Sequence, residues 1–271
     1  MGFFFDTMGY LTNKVVWITG ASSGIGEQMV RQAAADGAKV ILSARNENAL
    51  TTIKNSLPNP ESHLCLALDL EFSDNFPALA KNVVDHYGRI DMLINNGGLS
   101  QRSTAATTSL EIDRRIMEIN YFGNIALTKA VLPYMQAQKS GHFVVISSIS
   151  GKFGFFLRSA YSASKHALFG FYESLLLEEE HNNIHVTLVC PGKINTNISV
   201  NALNGDGNSH GVMDHNQETG MSAEECVRQM YVAVAKHKKE VLIGNKEIMA
   251  VKIKRLFPSL FWKIIKKQSA T

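Results

Sequence analysis

The feature that most constrains this chain is a change of period that repeats along it. From residue 14, short and nearly continuous apolar runs recur: "KVVWIT" (14–19), "AKVILSA" (38–44), "HLCLALD" (63–69), "DMLIN" (91–95), "HFVVIS" (142–147) and "HVTLV" (185–189). "EVLIG" (240–244) is a weaker seventh. Runs without polar alternation suit strands buried on both faces. Between them lie segments of helical length at 25–36, 46–56, 74–87, 110–138, 160–181 and 222–237. Strand then helix, repeated, predicts βαβ units with right-handed crossovers. The expected fold is α/β, a doubly wound parallel sheet of about seven strands in a single domain. Residues 1–250 form that domain and 251–271 a basic C-terminal extension. "NALNGDGNSHGVMDHNQETGM" (201–221) breaks the alternation, being polar and aperiodic with four glycines. So long an irregular segment in a compact domain is usually functional, and a substrate lid near 197–221 is the expectation.

Composition excludes several classes. A formal net charge of +3 over 271 residues gives no electrostatic footprint for nucleic acid. Cys65, Cys190 and Cys226 are odd in number and widely spaced. They make no disulfide framework, and a reducing, cytoplasmic setting fits them. The histidines show neither HExxH nor HxH spacing, so no metal is expected. "MGFFFDTMGY" at the N-terminus is too short for a signal peptide or a membrane span and reads as an arm packed on the domain.

"TGASSGIG" (19–26) follows the first strand and opens the first helix. Glycines there let the backbone turn sharply and approach a pyrophosphate, and the helix N-terminus presents N–H groups to it. "YSASK" (161–165) puts Tyr161 and Lys165 four residues apart on one helix face. A phenol with a pKa of about 10 is a sluggish base at neutral pH. A nearby cation favours the phenolate, so Lys165 is expected to lower the pKa of Tyr161 and suit it to acid–base work. Ser148 lies at the end of the fifth strand beside Ser147. Neighbours on a strand point to opposite faces, so one of them faces the pocket.

The glycine spacing TGxxxGxG, "NNGG" (95–98), Asn120, "ISSISG" (146–151), YSASK and "PGKINT" (191–196) occur in the order of one family. The chain resembles the short-chain dehydrogenase/reductase superfamily from about residue 13 to about 197, and more weakly to about 244. One departure is Gly97, where the family usually has alanine. The resemblance implies a Rossmann-type fold and hydride transfer between a nicotinamide cofactor and a ketone or secondary alcohol. It implies catalytic roles for Asn120, Ser148, Tyr161 and Lys165. Its spacing selects Ser148 as the serine that binds the reacting oxygen, and it gives Asn120 a water that relays protons from Lys165. It assigns Lys165 to the nicotinamide ribose as well. Cofactor contacts are expected from Gly20, Ser22, Ser23, Gly24, Ile25, Gly26, Asp69, Leu70, Asn96, Tyr161, Lys165, Ile194 and Thr196. Homodimers or homotetramers packed through the helices near 110–138 and 160–181 are expected on the same ground.

The second strand ends Ser43-Ala44-Arg45, with no carboxylate to repel a 2′-phosphate. A guanidinium pairs bidentately with phosphate oxygens, so NADP is expected before NAD. The pocket wall is expected to include Leu99, Ser150, Phe153, Phe155 and Phe156, with Ser148, Ser150, Phe155 and Tyr161 meeting a small-molecule carbonyl or alcohol. "ISSISGKFGFFLRSAYSASKHALFGF" is similar to the 11-beta-hydroxysteroid dehydrogenase and acyl-dihydroxyacetone-phosphate reductase group, which implies a lipid-like substrate. A 3-oxoacyl thioester reductase, a non-catalytic dinucleotide-binding sensor and a membrane-peripheral protein are the alternatives. The sensor is disfavoured because all four active-site residue types are present. Residues 251–267 carry six basic and no acidic side chains. After Pro258, Leu260, Phe261, Ile264 and Ile265 fall on one helical face. Such a helix either lies in a membrane interface or docks on its own domain or a second subunit.

Overall fold

A computed structural model describes residues 9–270. The N-terminal arm expected from residues 1–8 lies outside the described residues. Seven strands form one parallel sheet: β1 (Val15–Thr19), β2 (Lys39–Ala44), β3 (Leu64–Ala67), β4 (Met92–Asn95), β5 (Gly141–Ile146), β6 (Ile184–Pro191) and β7 (Glu240–Ile243). Their order is β3-β2-β1-β4-β5-β6-β7. The order reverses between β1 and β4, which opens a crevice beyond their carboxyl ends. Registers Val16↔Val40, Val16↔Met92 and Val144↔Thr187 fix neighbouring strands.

Among the described residues ten α-helical segments surround the sheet: α1 (Gly24–Ala35), α2 (Glu47–Asn55), α3 (Phe76–Tyr87), α4 (Leu110–Met117), α5 (Gly123–Gln138), α6 (Ser159–Glu178), α7 (His215–Glu218), α8 (Ala223–Ala235), α9 (Met249–Leu256) and α10 (Pro258–Ile265). Both sheet faces are dry, as the unalternated strand sequences require. Val16, Ile18, Val40, Leu42 and Ile94 pack with Met29, Val30, Leu50 and Met230 of α1, α2 and α8. Val15, Trp17, Ile41 and Leu93 pack with Phe76, Leu127, Leu168 and Tyr172 of α3, α5 and α6.

Three expectations change in detail. The helix expected over 110–138 is interrupted by a π-helical turn at Glu118–Phe122. The apolar period runs through this turn, so sequence pattern does not reveal it. The turn lies where other segments press on the helix: Asn120 is held by Leu99, and a Cβ on Gly123 would lie 2.0 Å from the Leu70 carbonyl oxygen. Residues 201–221 are not wholly irregular. They contain α7 and a bridge between Leu203 and Ser209. Leu203 also exchanges backbone hydrogen bonds with Ser100 and Arg102. The helix expected over 160–181 ends at Glu178 and continues as a 3-10 turn over Glu180–Asn182.

Candidate active site

The glycine turn shows why this sequence and no bulkier one closes here. Gly20 and Gly24 have φ of +64° and +57°, the left-handed region that favours glycine. A Cβ on Gly26 would lie 1.9 Å from the Gly20 carbonyl oxygen. The turn feeds α1, whose first N–H groups have no partner inside the helix. Asn96 holds the turn against β4. Its Nδ2 donates to the Thr19 carbonyl at 3.0 Å, and its backbone N–H donates to Thr19 Oγ1 at 3.0 Å.

A cavity of about 650 Å³ opens over the turn. Gly20, Ser22, Ser23, Gly24, Ile25 and Gly26 form one wall, and Arg45, Asp69, Leu70 and Leu99 lie at the others. Arg45 is exposed at the end of β2. A cradle that only glycines can form, at a helix N-terminus and a topological switch point, fits a dinucleotide pyrophosphate. Gly97 has its own accommodation: a Cβ there would lie 2.6 Å from Leu70 Cδ1. Leu70 therefore fills the volume that a methyl group would take.

A second cavity, of about 980 Å³, joins the first at Ile25, Asn96, Gly98, Ser100, Thr196 and Ile198. Ser148, Ser150, Phe153, Phe155, Tyr161, Lys165 and Ile194 line it. Phe156 does not: it turns outward and is 47% exposed. Its neighbour Phe155 takes the inward position, and their rings meet edge to face at 5.5 Å. Phe261 and Ile265 of α10 bury themselves against Phe153 and complete the apolar wall. The C-terminal helix thus docks on its own chain. The face expected to be uniform is split, because Leu260 and Ile264 are exposed while Phe261 and Ile265 are buried.

Tyr161, Lys165 and Ser148 meet where the two cavities join. Ser147 Oγ donates to the Lys165 carbonyl at 3.1 Å, away from the phenol. Ser148 Oγ accepts from the Ser150 N–H at 3.1 Å and lies by Tyr161. Lys165 Nζ donates to the Ile146 carbonyl at 2.8 Å and sits 5.8 Å from the centroid of the Tyr161 ring. Burial pulls Lys165 down to about 8. The Tyr161 phenol differs from the expectation of a lowered pKa. Burial is the largest influence and pushes it up, while hydrogen bonding to Ser148 and the Arg102 and Arg158 charges pull it back. A cation that also satisfies a backbone carbonyl does not outweigh the desolvation of the phenol.

Asn120 sits in the π-helical turn with its amide engaged. Oδ1 accepts from the Leu99 N–H at 2.7 Å, and Nδ2 donates to the Leu99 carbonyl at 2.9 Å and to Ser164 Oγ at 3.0 Å. Ser164 Oγ donates in turn to the Tyr161 carbonyl at 2.8 Å. The amide therefore ties the loop after β4 to the helix that carries Tyr161 and Lys165. Two clusters escaped sequence reading. Asn95 Nδ2 donates to Thr128 Oγ1 and to the Tyr172 hydroxyl at 2.9 and 3.0 Å, inside the core below the site. Arg102, Arg158 and Asp214 form a buried ion cluster at the cavity wall. An arginine in a loop carries no period from which its burial could be foreseen.

The short chain dehydrogenase family model matches residues 14–206. Dehydrogenase/reductase SDR family member 7B of Mus musculus is 44% identical over 262 residues, covering 94% of this chain and 81% of the relative. The SDR family protein 7-like of Anopheles gambiae is 42% identical over 267 residues, covering 96% and 84%. Among solved structures, a short-chain dehydrogenase from Streptomyces avermitilis superposes with a TM-score of 0.81 at 28% identity, covering 95% of this chain and 98% of the other. An SDR from Burkholderia phymatum, solved in complex with NAD, shares the fold with a TM-score of 0.81 at 21% identity, over 92% and 95% of the two chains. The glycine turn, the Ser148–Tyr161–Lys165 junction and this similarity along nearly the whole length agree: the chain belongs to the short-chain dehydrogenase/reductase family and is an oxidoreductase with a nicotinamide cofactor.

Proposed function

We propose that this oxidoreductase uses NADP(H) to interconvert a ketone and a secondary alcohol on an apolar, lipid-like small molecule. One observation carries the reading: the acid–base pair stands where a glycine-built cavity meets an apolar cavity lined by Phe153, Phe155, Phe261 and Ile265. When bound, the cofactor supplies or accepts the hydride. Gly20, Ser22, Ser23, Gly24, Ile25 and Gly26 would hold its pyrophosphate, and Arg45 its 2′-phosphate. Asp69, Leu70 and Asn96 would border the rest, with Ile194, Thr196 and Lys165 toward the nicotinamide end. Ser148 donates a hydrogen bond to the reacting oxygen, which stabilises charge developing there. Tyr161 gives that oxygen its proton in reduction and takes it in oxidation. A phenol pushed up by burial is protonated at neutral pH, the form that reduction needs. Asn120 holds the loop and helix in register for this exchange.

The test is NADPH oxidation over a panel of ketones: steroids, oxoacyl thioesters and dihydroxyacetone-phosphate lipids. Arg45→Ala should cost about ten- to a hundredfold in NADPH affinity and little in NADH affinity, since a charge-assisted phosphate contact contributes roughly 1.5–3 kcal/mol. Equal affinities for the two cofactors in the parent protein would remove the NADP assignment.

A second reading concerns where the substrate comes from. Leu256, Phe257, Leu260 and Trp262 of α9, α10 and the turn between them are exposed and do not line the cavity. Lys252, Lys254, Arg255, Lys263, Lys266 and Lys267 are interspersed with them. The inner side of the same helices lines the apolar cavity. Among the described residues no helix is long and apolar enough to cross a membrane. The proposal is peripheral contact with an anionic bilayer through this outer face. Co-sedimentation with anionic vesicles should weaken with added salt. Changing Lys263, Lys266 and Lys267 together to Gln should weaken it further, by about 1 kcal/mol per residue. Protein that stays in the supernatant at low salt ends this reading.

A further inference from the structure

The ion cluster at the cavity wall is built from three separate segments. Arg102 follows β4, Arg158 stands three residues before Tyr161, and Asp214 comes from the segment over the cavity. Arg102 Nη2 and Arg158 Nη2 both reach Asp214 Oδ2, at 2.6 and 3.0 Å. The side chains of Arg102 and Asp214 are each 1% exposed. Two guanidinium groups thus share one carboxylate oxygen, and the cluster keeps one uncompensated positive charge. Burial and the Arg102 charge push Arg158 down to about 10, and Asp214 pulls it back.

The cluster is also tied mechanically to Tyr161. Gln101, next to Arg102, accepts at Oε1 from the backbone N–H groups of Ala160 and Tyr161, at 2.9 and 3.4 Å. Arg102 Nη1 donates to Ser100 Oγ and to the Gln101 carbonyl, at 2.8 and 2.7 Å. Arg158 Nη1 donates to the Phe156 and Ala270 carbonyls, both at 2.9 Å. Leu157, just before it, has φ of +60°, a conformation a non-glycine residue keeps only when its surroundings impose it. Arg102, Arg158 and Tyr161 all face the larger cavity.

We propose that Asp214 is a positioning residue for Tyr161: from the segment over the cavity it balances the two buried guanidinium groups beside the phenol, and so sets the charge the phenol meets. The proposal rests on the reading of Tyr161 as the acid–base group. Each guanidinium favours the phenolate, and Asp214 offsets one of them. Other charges near the phenol come from known places. Lys165 is on the same helix, and Lys193, Lys246 and Glu247 line the same cavity. His210 Nε2 lies 3.8 Å from Asp214 Oδ1.

The test is the titration of Tyr161 itself, read as tyrosinate absorbance and isolated by subtracting the same titration of a Tyr161→Phe partner. It is followed only where circular dichroism shows the fold intact. Asp214→Asn, which keeps the shape and removes the charge, should bring the titration about one pH unit lower. Arg158→Gln should move it the other way, later or out of the folded range. Arg158→Gln leaves Arg102 and Asp214 as a neutral pair, so it tests the idea even if Asp214→Asn fails to fold. The basic limb of the turnover profile, measured on a ketone found in the panel, should move in the same two directions. A purely structural cluster would lower stability or kcat in both variants without opposite shifts. His210→Gln should leave the titration in place, and a shift like that of Asp214→Asn would hand the effect to His210 and overturn the proposal. Unshifted titrations, or shifts in one common direction, overturn it too, whatever turnover does. Loss of the Tyr161 mechanism shows separately, as normal turnover in Tyr161→Phe.

Discussion

The two ends of the sheet both bury titratable groups, and they use them differently. At the carboxyl ends, Tyr161 and Lys165 are desolvated against β5 and β6 and line a large cavity. At the amino ends, His142 of β5 stands in register with His185 of β6, and His237 before β7 stacks on His142 and lies tilted against His185. His142 is pushed down to about 3, by burial first and then by the His237, His185 and Lys14 charges. Its Nε2 pairs with Thr187 Oγ1 at 2.9 Å. The one Thr187 hydroxyl proton goes to the Lys238 carbonyl at 2.7 Å, so His142 Nε2 carries a proton and donates. Nδ1 then has no proton and no hydrogen-bond partner. Among the described residues no group of three histidine, cysteine, aspartate or glutamate side chains could hold a metal. A perturbed pKa is therefore a mark of burial at both ends. What marks the carboxyl end is space: there the perturbed groups face a cavity with room for a ligand.

The largest effect should come from breaking the carboxyl-end site. Tyr161→Phe removes one hydroxyl from a buried position and should keep the fold and cofactor affinity. Turnover on a ketone accepted by the parent should fall by at least about a hundredfold, the low end for loss of a general acid–base group. The amino-end histidines offer the control, since His142→Gln should leave turnover at pH 7 nearly unchanged. Comparable losses in both variants would mean that the ends are not functionally distinct.

Legibility followed the same division. All seven strands were readable because apolar runs without alternation have few other fates. The glycine turn was readable because sterics leave room only for glycine there, and YSASK because it stands in order with the other motifs of the family. The π-helical turn at Asn120 was not, since the constraint lies in Leu99 and Leu70, distant in sequence. Phe156 and Phe155 looked alike, and only the path of the loop decides which faces the cavity. The direction of the Tyr161 shift is not legible because spacing shows that Lys165 can be near but not that desolvation is the larger influence on the phenol. Arg102, Arg158 and Asp214 were missed because three loops with no period bring them together. Likewise, His142, His185 and His237 lack any short motif, because the register of β5 on β6 and the turn before β7 bring them together.

A smaller effect should sharpen the comparison from the amino end, through stability. His142 is held neutral in the folded protein, with a pKa of about 3 against an ordinary value of 6.5. As pH falls through 6.5 the unfolded chain takes up a proton there, and the folded chain does not until about pH 3. The unfolded state then binds more protons, so stability falls with falling pH across that window. Between pH 7 and pH 5 the loss from this one group should be about 2 kcal/mol, at roughly 1.4 kcal/mol for each pH unit below 6.5. His185 and His237 are also lowered, by burial first, and act in the same direction. His142→Gln cannot titrate but can still donate to Thr187. Its urea midpoint should be less sensitive to pH than that of the parent over pH 5–7, even if it is lower at pH 7. Equal pH sensitivity in parent and variant would mean that His142 is not the group held neutral. The amino end would then owe its acid response to the more exposed His185 and His237.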